Sequence, residues 1–294
     1  MALRRRLIAA NYTNGDYFFI MHPTDSLNVN SKLNIVKKTV TFGNHGLALS
    51  GKILMPAGAS KHNRVPGAVF CHGYGNDRDA FEDSARILAA EGIATFAFDF
   101  RGHGTSEGIL DGSMVEDVID AWNYLRDQPE VDHKRMGFIG HSMGAFSAIM
   151  AAGKLKKARV LVALSCPGEI RHCIANNPKH FAYPLLRHLI TLIFKINKRI
   201  CKLKVRVNWK KFIEFWPKNR LSKALAELED CSKLFVFCLS DPTSPYNKFL
   251  YSYAMASEPK QVMVTTGNHG APLENEVLRA QWQKWAIRAL HKQA

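Results

Sequence analysis

The sequence predicts an α/β fold: a mostly parallel, eight-stranded sheet with helices on both faces and a helical cap inserted late in the chain. Three observations predict it. Short runs rich in Val, Ile and Phe recur with little polar alternation, as strands covered on both faces require. Helix-length apolar periodicities lie between those runs. One stretch, from Gly168 to Asp230, passes about sixty residues without a strand, too long for a bare loop inside a compact domain.

Taken in order, residues 1–34 are polar and irregular and read as an N-terminal arm. Strands follow at Val36–Phe42, Leu47–Met55 and Gly67–Cys71, then a helix over Asp79–Glu91 that Gly92 stops. Alternation sets in after that. Strands are expected at Ala94–Phe98, Arg135–Ile139, Val160–Leu164, Leu234–Leu239 and Gln261–Thr265. The helices between and after them are Met114–Gln128, Met143–Leu155, Tyr246–Ser257 and Leu273–His291. The core therefore comprises residues 35–167 and 231–294, with the cap at 168–230. Within the cap Leu185, Leu189, Leu192, Ile196, Ile200 and Leu203 recur at helical spacing, with Arg187, Lys195, Lys198, Arg199 and Lys202 on other faces.

Composition bounds the function classes. With 294 residues, 47% apolar and 22% charged, the chain is neither disordered nor collagen-like and can bury a core unaided. No run of eighteen apolar residues exists to span a membrane. The run behind Arg4, Arg5 and Arg6 (Leu7 to Ala10) is too short for a secretory leader. Six cysteines show neither C-x-x-C pairing nor zinc-like spacing with His, so they are expected to be reduced thiols of a cytoplasmic protein. No His/Cys/Asp cluster has metal-ligand spacing, and no cofactor is implied.

Net charge is +15, and between Lys154 and Arg220 stand 17 Lys and Arg against only Glu169 and Glu214. The rest of the chain is neutral. So local an excess fits either a solvated face or an anionic partner. A basic amphipathic cap suits peripheral contact with anionic membrane. Nucleic acid is not expected, because the cap lacks a binding motif and its apolar positions are committed to packing.

Gly140-His141-Ser142-Met143-Gly144 is a G-x-S-x-G between an expected strand and an expected helix. Such a pentapeptide arises by chance in roughly one chain in ten of this length, so its context carries the weight. A sharp strand-to-helix turn needs small neighbours to leave the serine Oγ clear, and the helix N-terminus offers N–H groups to an oxyanion. A serine hydroxyl needs a base and an orienting acid. Asp241 and His269 each follow the C-terminal end of an expected strand, the edge where open α/β sheets build sites. The glycine-rich Cys71-His72-Gly73-Tyr74-Gly75 loop can aim a second amide into the cleft. By position the oxyanion donors are the N–H groups of Tyr74 and Met143, with His72, Gly73 and His141 as supporting residues. His103 is read as structural.

Taken together these residues resemble the α/β-hydrolase superfamily, most nearly bacterial cinnamoyl and feruloyl esterases, monoacylglycerol lipases and serine-aminopeptidase-like hydrolases. The matching pieces are His72-Gly73-Tyr74, the run Phe98 to Gly108, the elbow at Ser142, Asp241-Pro242-Thr243-Ser244-Pro245 and Gly267-Asn268-His269. The chain order Ser, Asp, His also matches. The resemblance implies Ser142 as nucleophile, Asp241 as acid and His269 as base. Three departures stand out: Cys238 where relatives commonly carry glycine, Ser244 where valine is commoner, and a cap without a recognisable counterpart. Aspartate-nucleophile relatives are excluded by the serine at the elbow.

The expectation is a serine hydrolase that cleaves small-molecule carboxylic esters through an acyl-enzyme, with acylglycerols or lysophospholipids as candidate substrates. A serine peptidase or amidase of the same fold, and a non-catalytic binding protein, remain as alternatives. Oligomeric state is left open.

Overall fold

A computed structural model describes residues 35–43, 46–169, 192 and 205–292. The N-terminal arm over residues 1–34 lies outside the described residues, as does the cap's apolar stripe apart from Leu192.

The eight strands are β1 (Ile35–Phe42), β2 (Leu49–Pro56), β3 (Val65–Cys71), β4 (Ala94–Phe98), β5 (Val131–His141), β6 (Val160–Leu164), β7 (Ser232–Cys238) and β8 (Lys260–Thr265). They form one sheet in the order β1-β2-β4-β3-β5-β6-β7-β8. β1 pairs with β2, and β2 with β4, antiparallel; every later pair is parallel. The mostly parallel sheet that the apolar runs predict is the sheet observed.

Alternation within strands divides the core in two. On one face Val69, Phe96, Phe98 and Phe138 pack with Trp122 of α2 (Met114–Arg126) and Phe146 of α3 (Met143–Leu155). On the other, Ala68, Phe70, Ala97 and Ile139 pack with Leu88 of α1 (Glu82–Ala90) and with Trp282. Burying each such phenylalanine contributes about 1.5–3 kcal/mol.

Boundaries differ from expectation where side chains intervene. The first helix opens as a 3-10 turn over Arg78–Phe81, because the Asp77 carboxylate accepts the Asp79 N–H. β5 starts at Val131 rather than Arg135, since Val131 pairs with Val65 beyond a register shift. The helix expected over Leu273–His291 is two, α7 (Ala271–Glu274) and α8 (Glu276–His291). Asn275 separates them and caps α8, its side chain accepting the Leu278 N–H.

Residues 205–208 lie along the loop that follows β4. Arg206 N–H donates to the Gly102 carbonyl (2.9 Å), Leu110 N–H to that of Arg206 (2.8 Å) and Asn208 N–H to that of Leu110 (2.9 Å). This strip launches α4 (Trp209–Lys218), whose Phe212, Ile213 and Phe215 are buried. The Phe212 ring stacks on Tyr74 at 5.9 Å, and Trp216 meets Phe146 at 4.6 Å. α5 (Leu221–Ala226) then packs on α3 at Gly153, and α6 (Tyr246–Met255) follows β7. Lys210, Lys211 and Lys218 of α4 are exposed.

Candidate active site

Strand register brings the chemistry to one edge. Cys71 is level with Gly140, Gly140 with Ala163, Leu164 with Val236 and Cys238 with Thr265. The chain leaving each of these strands therefore emerges at the same end of the sheet. Ser142 sits between β5 and α3 at φ 53°, ψ −120°, a conformation that side-chain-bearing residues rarely adopt. Its N–H donates to the Leu164 carbonyl at 2.9 Å, which ties the elbow to β6. A side chain at Gly144 would collide with the backbone carbonyls of Cys71 and His72. The first turn of α3, with the Met143 amide, is thus pressed against the loop that carries Tyr74.

Two neutral imidazoles shape that loop. His72 accepts the Phe100 N–H at Nε2 (3.1 Å) and donates from Nδ1 to the Gly73 carbonyl (2.8 Å). His103 accepts the Gly75 N–H at Nε2 (3.3 Å) and donates from Nδ1 to the Arg101 carbonyl (3.2 Å). Each ring needs one donor and one acceptor nitrogen, so each must stay uncharged. Burial enforces this, lowering His72 to about 4. Burial, with the neighbouring His72, lowers His103 to about 3. Gly75 and the Gly73 carbonyl are thereby held on either side of Tyr74. Beneath them the buried Asp99 accepts from the Arg78 backbone (2.8 Å), the Arg78 guanidinium (2.6 Å) and the Thr105 N–H (3.0 Å).

Asp241 and His269 meet directly. Asp241 closes the turn after β7 with its N–H on the Cys238 carbonyl (3.2 Å), so cysteine in place of glycine leaves that turn closed. One carboxylate oxygen accepts the N–H groups of Thr243 (2.8 Å) and Ser244 (2.9 Å). The other accepts His269 Nδ1–H at 2.7 Å. Burial alone would raise the Asp241 carboxyl, but hydrogen bonds from His269, Ser244 and Thr243 outweigh it and hold it below the ordinary carboxylate value. With Nδ1–H committed to Asp241, His269 Nε2 carries the lone pair. The His269 ring faces that of His141, next to Ser142, at 4.8 Å.

The candidate site residues Tyr74, Ser142, Met143, Asp241 and His269 thus lie around one edge, as do His72, Gly73 and His141. Sequence reading missed Asp99, Arg78, Arg206 and Ser165. Asp99 could have been found inside the matched Phe98 to Gly108 run; Arg78 and Arg206 carry no local signal. Among the described residues no group of three or more His, Cys, Asp or Glu side chains could hold a metal ion. Cys71, Cys166, Cys231 and Cys238 are free and buried, whereas Cys173 and Cys201 lie outside the described residues. No helix among the described residues is long and apolar enough to cross a membrane.

An uncharacterized 31.7 kDa protein from the traX-finO intergenic region of Escherichia coli is 30% identical over 123 residues, 40% of this chain and 41% of that protein. The thiohydrolase aneE of Aspergillus aculeatus is 30% identical over 128 residues, 42% of this chain and 38% of that one. The matched stretch spans about two fifths of those relatives' lengths. The structure of Est1E from Butyrivibrio proteoclasticus with ferulic acid bound superposes with a TM-score of 0.66 at 14% identity, covering 86% of this chain and all of that one. That likeness shows the fold. Residues 66–212, half of the chain, match the serine aminopeptidase S33 family. The chain belongs to that family of α/β hydrolases.

Proposed function

We propose that the protein is a serine hydrolase that cleaves carboxylic esters through an acyl-enzyme. One observation carries the reading: the His269–Asp241 hydrogen bond of 2.7 Å lies at the same sheet edge as a serine in a strained strand-to-helix turn. His269 Nε2 takes the Ser142 proton as Oγ attacks the ester carbonyl. Asp241 holds the tautomer that leaves Nε2 free and offsets the imidazolium charge. The oxyanion forms between the amides of Tyr74 and Met143. Collapse returns the proton from Nε2 to the departing alcohol. Water, deprotonated by the same nitrogen, then releases the acid and restores Ser142.

The likeness to aneE, named a thiohydrolase, favours a second substrate class, thioesters. The chemistry changes only at the leaving group, since a thiolate departs with less help from His269 than an alkoxide.

Hydrolysis of p-nitrophenyl esters of increasing acyl length, beside matched acyl thioesters and aminoacyl anilides, tests the proposal against Ser142→Ala. Turnover of oxygen esters that the substitution abolishes supports it. Preference for thioesters moves the reading to the second class, and cleavage of anilides alone makes the protein a peptidase. Turnover that survives in Ser142→Ala refutes serine catalysis.

A further inference from the structure

The ring of His269 is held by Asp241, but its backbone is held from elsewhere. The His269 carbonyl accepts two side-chain hydrogen bonds, from His141 Nε2 at 2.9 Å and from Ser165 Oγ at 3.1 Å. Both donors are buried, and they lie 128 and 104 residues away along the chain. Both acceptor lone pairs of one carbonyl are thus used by groups from neighbouring strands, β5 and β6.

The need for such anchorage is local. His269 lies after β8, the edge strand, between Gly267 (φ 132°) and Gly270, in a loop whose residues 266–270 are exposed or half-buried. Ser165 is built for the task at a cost, because its φ of 46° is left-handed for a residue with a side chain. Its N–H donates to the Val236 carbonyl at 2.8 Å, which fixes it against β7.

His141 is defined as closely. Nε2 donates to the carbonyl, so Nδ1 holds the lone pair; it has no hydrogen-bond partner among the described residues, and a Cβ on Gly73 would lie 2.9 Å away. A proton there would have no acceptor, in keeping with a ring that burial and the nearby His269 lower to about 4. The ring therefore stands between the Tyr74 loop and the His269 backbone, one residue before Ser142.

We propose that Ser165 and His141 are positioning residues: a two-point clamp on the His269 carbonyl that fixes the imidazole relative to Ser142. The inference rests on His269 acting as the base. Loss of one arm loosens the base without touching substrate contacts, so kcat falls and KM does not. Misplacement by about 1 Å costs up to about 100-fold, and about 10-fold or more is expected for each of Ser165→Ala and His141→Leu.

The test is steady-state kinetics of these variants and of His141→Gln, which keeps an N–H donor, together with the pH profile and the imidazole ¹⁵N spectrum of unliganded protein. The clamp predicts lowered kcat, KM within about twofold, an unmoved acid limb, partial rescue in His141→Gln and an Nε2–H tautomer at His141. Wild-type kcat in both single variants overturns it, as does a KM that rises in step or an Nδ1–H tautomer. A wild-type protein without Ser142-dependent turnover sinks the hydrolase reading instead. The tautomer, and the shift of the His269 signals in Ser165→Ala, still decide the clamp in that case.

Discussion

Asp241→Asn tests the site at the atom that decides where its proton resides. One Asp241 oxygen accepts the amides of Thr243 (2.8 Å) and Ser244 (2.9 Å), and the other accepts His269 Nδ1–H (2.7 Å). In asparagine the carbonyl oxygen must stay with the two amides, because an NH₂ group there would face two donors. The NH₂ then faces His269 and can only donate. Nδ1 must become the acceptor, and its proton moves to Nε2, the nitrogen that deprotonates Ser142 in the proposed mechanism. The base is lost by tautomer while its position is kept. A reversal of this kind lowers kcat about 10⁴-fold, or about 5.4 kcal/mol at 1.36 kcal/mol per decade. Stability carries an independent sign. The folded Asp241 carboxyl titrates below its ordinary value, so its contribution is present above about pH 3.9 and is lost as pH falls through the folded pKa. Asp241→Asn should therefore melt lower than wild type at neutral pH, with the gap narrowing in acid. Ester turnover and melting curves between neutral pH and pH 3 check both. More than a tenth of wild-type kcat in a folded variant would refute the tautomer argument.

Two further outcomes follow from the same geometry. Ser142→Gly should be inactive yet more stable by about 1 kcal/mol, since a side chain at φ 53° costs about 1–3 kcal/mol; melting 2–4 °C above wild type is the expected reading, and a lower Tm would mean the elbow is not strained. Arg101→Ala strips the fully buried Asp117 of donors at 2.6 and 2.9 Å and should cost about 3–5 kcal/mol by leaving a lone buried carboxylate. Burial already holds the Asp117 carboxyl above its ordinary value despite Arg101, and a raised carboxyl pKa means stability lost as pH rises. The deficit of Arg101→Ala should therefore shrink on acidification, as urea titrations at pH 7 and pH 5 would show.

What the sequence disclosed depended on how local the cause was. β4, β6 and α3 were legible to the residue because each is an uninterrupted apolar or helical run bounded by turn formers. Ser142, Asp241 and His269 stand out in the sequence as candidates because each is a chemically apt residue just past a strand end. The break at Asn275 was hidden because one side-chain cap outweighed a continuous helical periodicity. Residues 205–218 were read as part of an insertion, on the evidence of missing strands and clustered cations. Their burial against Tyr74 and Phe146 depends on aromatic contacts across more than a hundred residues, which no local pattern encodes.

Ser165 shows why a supporting residue resists sequence reading more than a candidate for the chemistry itself does. A nucleophile, an acid and a base are constrained by chemistry to a few residue types, so the type itself is a signal. A group that only holds a backbone carbonyl needs one proton to donate, and Ser, Thr, Asn, Gln, His, Tyr or Trp can supply it. What selects serine at 165 is the left-handed turn after β6, which disfavours branched and bulky side chains, and the level register of β6 and β7 that brings its N–H to Val236. Both are properties of the assembled sheet. The same holds for His141: its place inside the G-x-S-x-G marks it as a neighbour of Ser142, but only the packed structure turns its Nε2 toward a carbonyl 128 residues away. With His269 as the proposed base, the clamp sets its position relative to Ser142 by three strand ends acting through one peptide group, and substitutions there should alter rate before they alter fold.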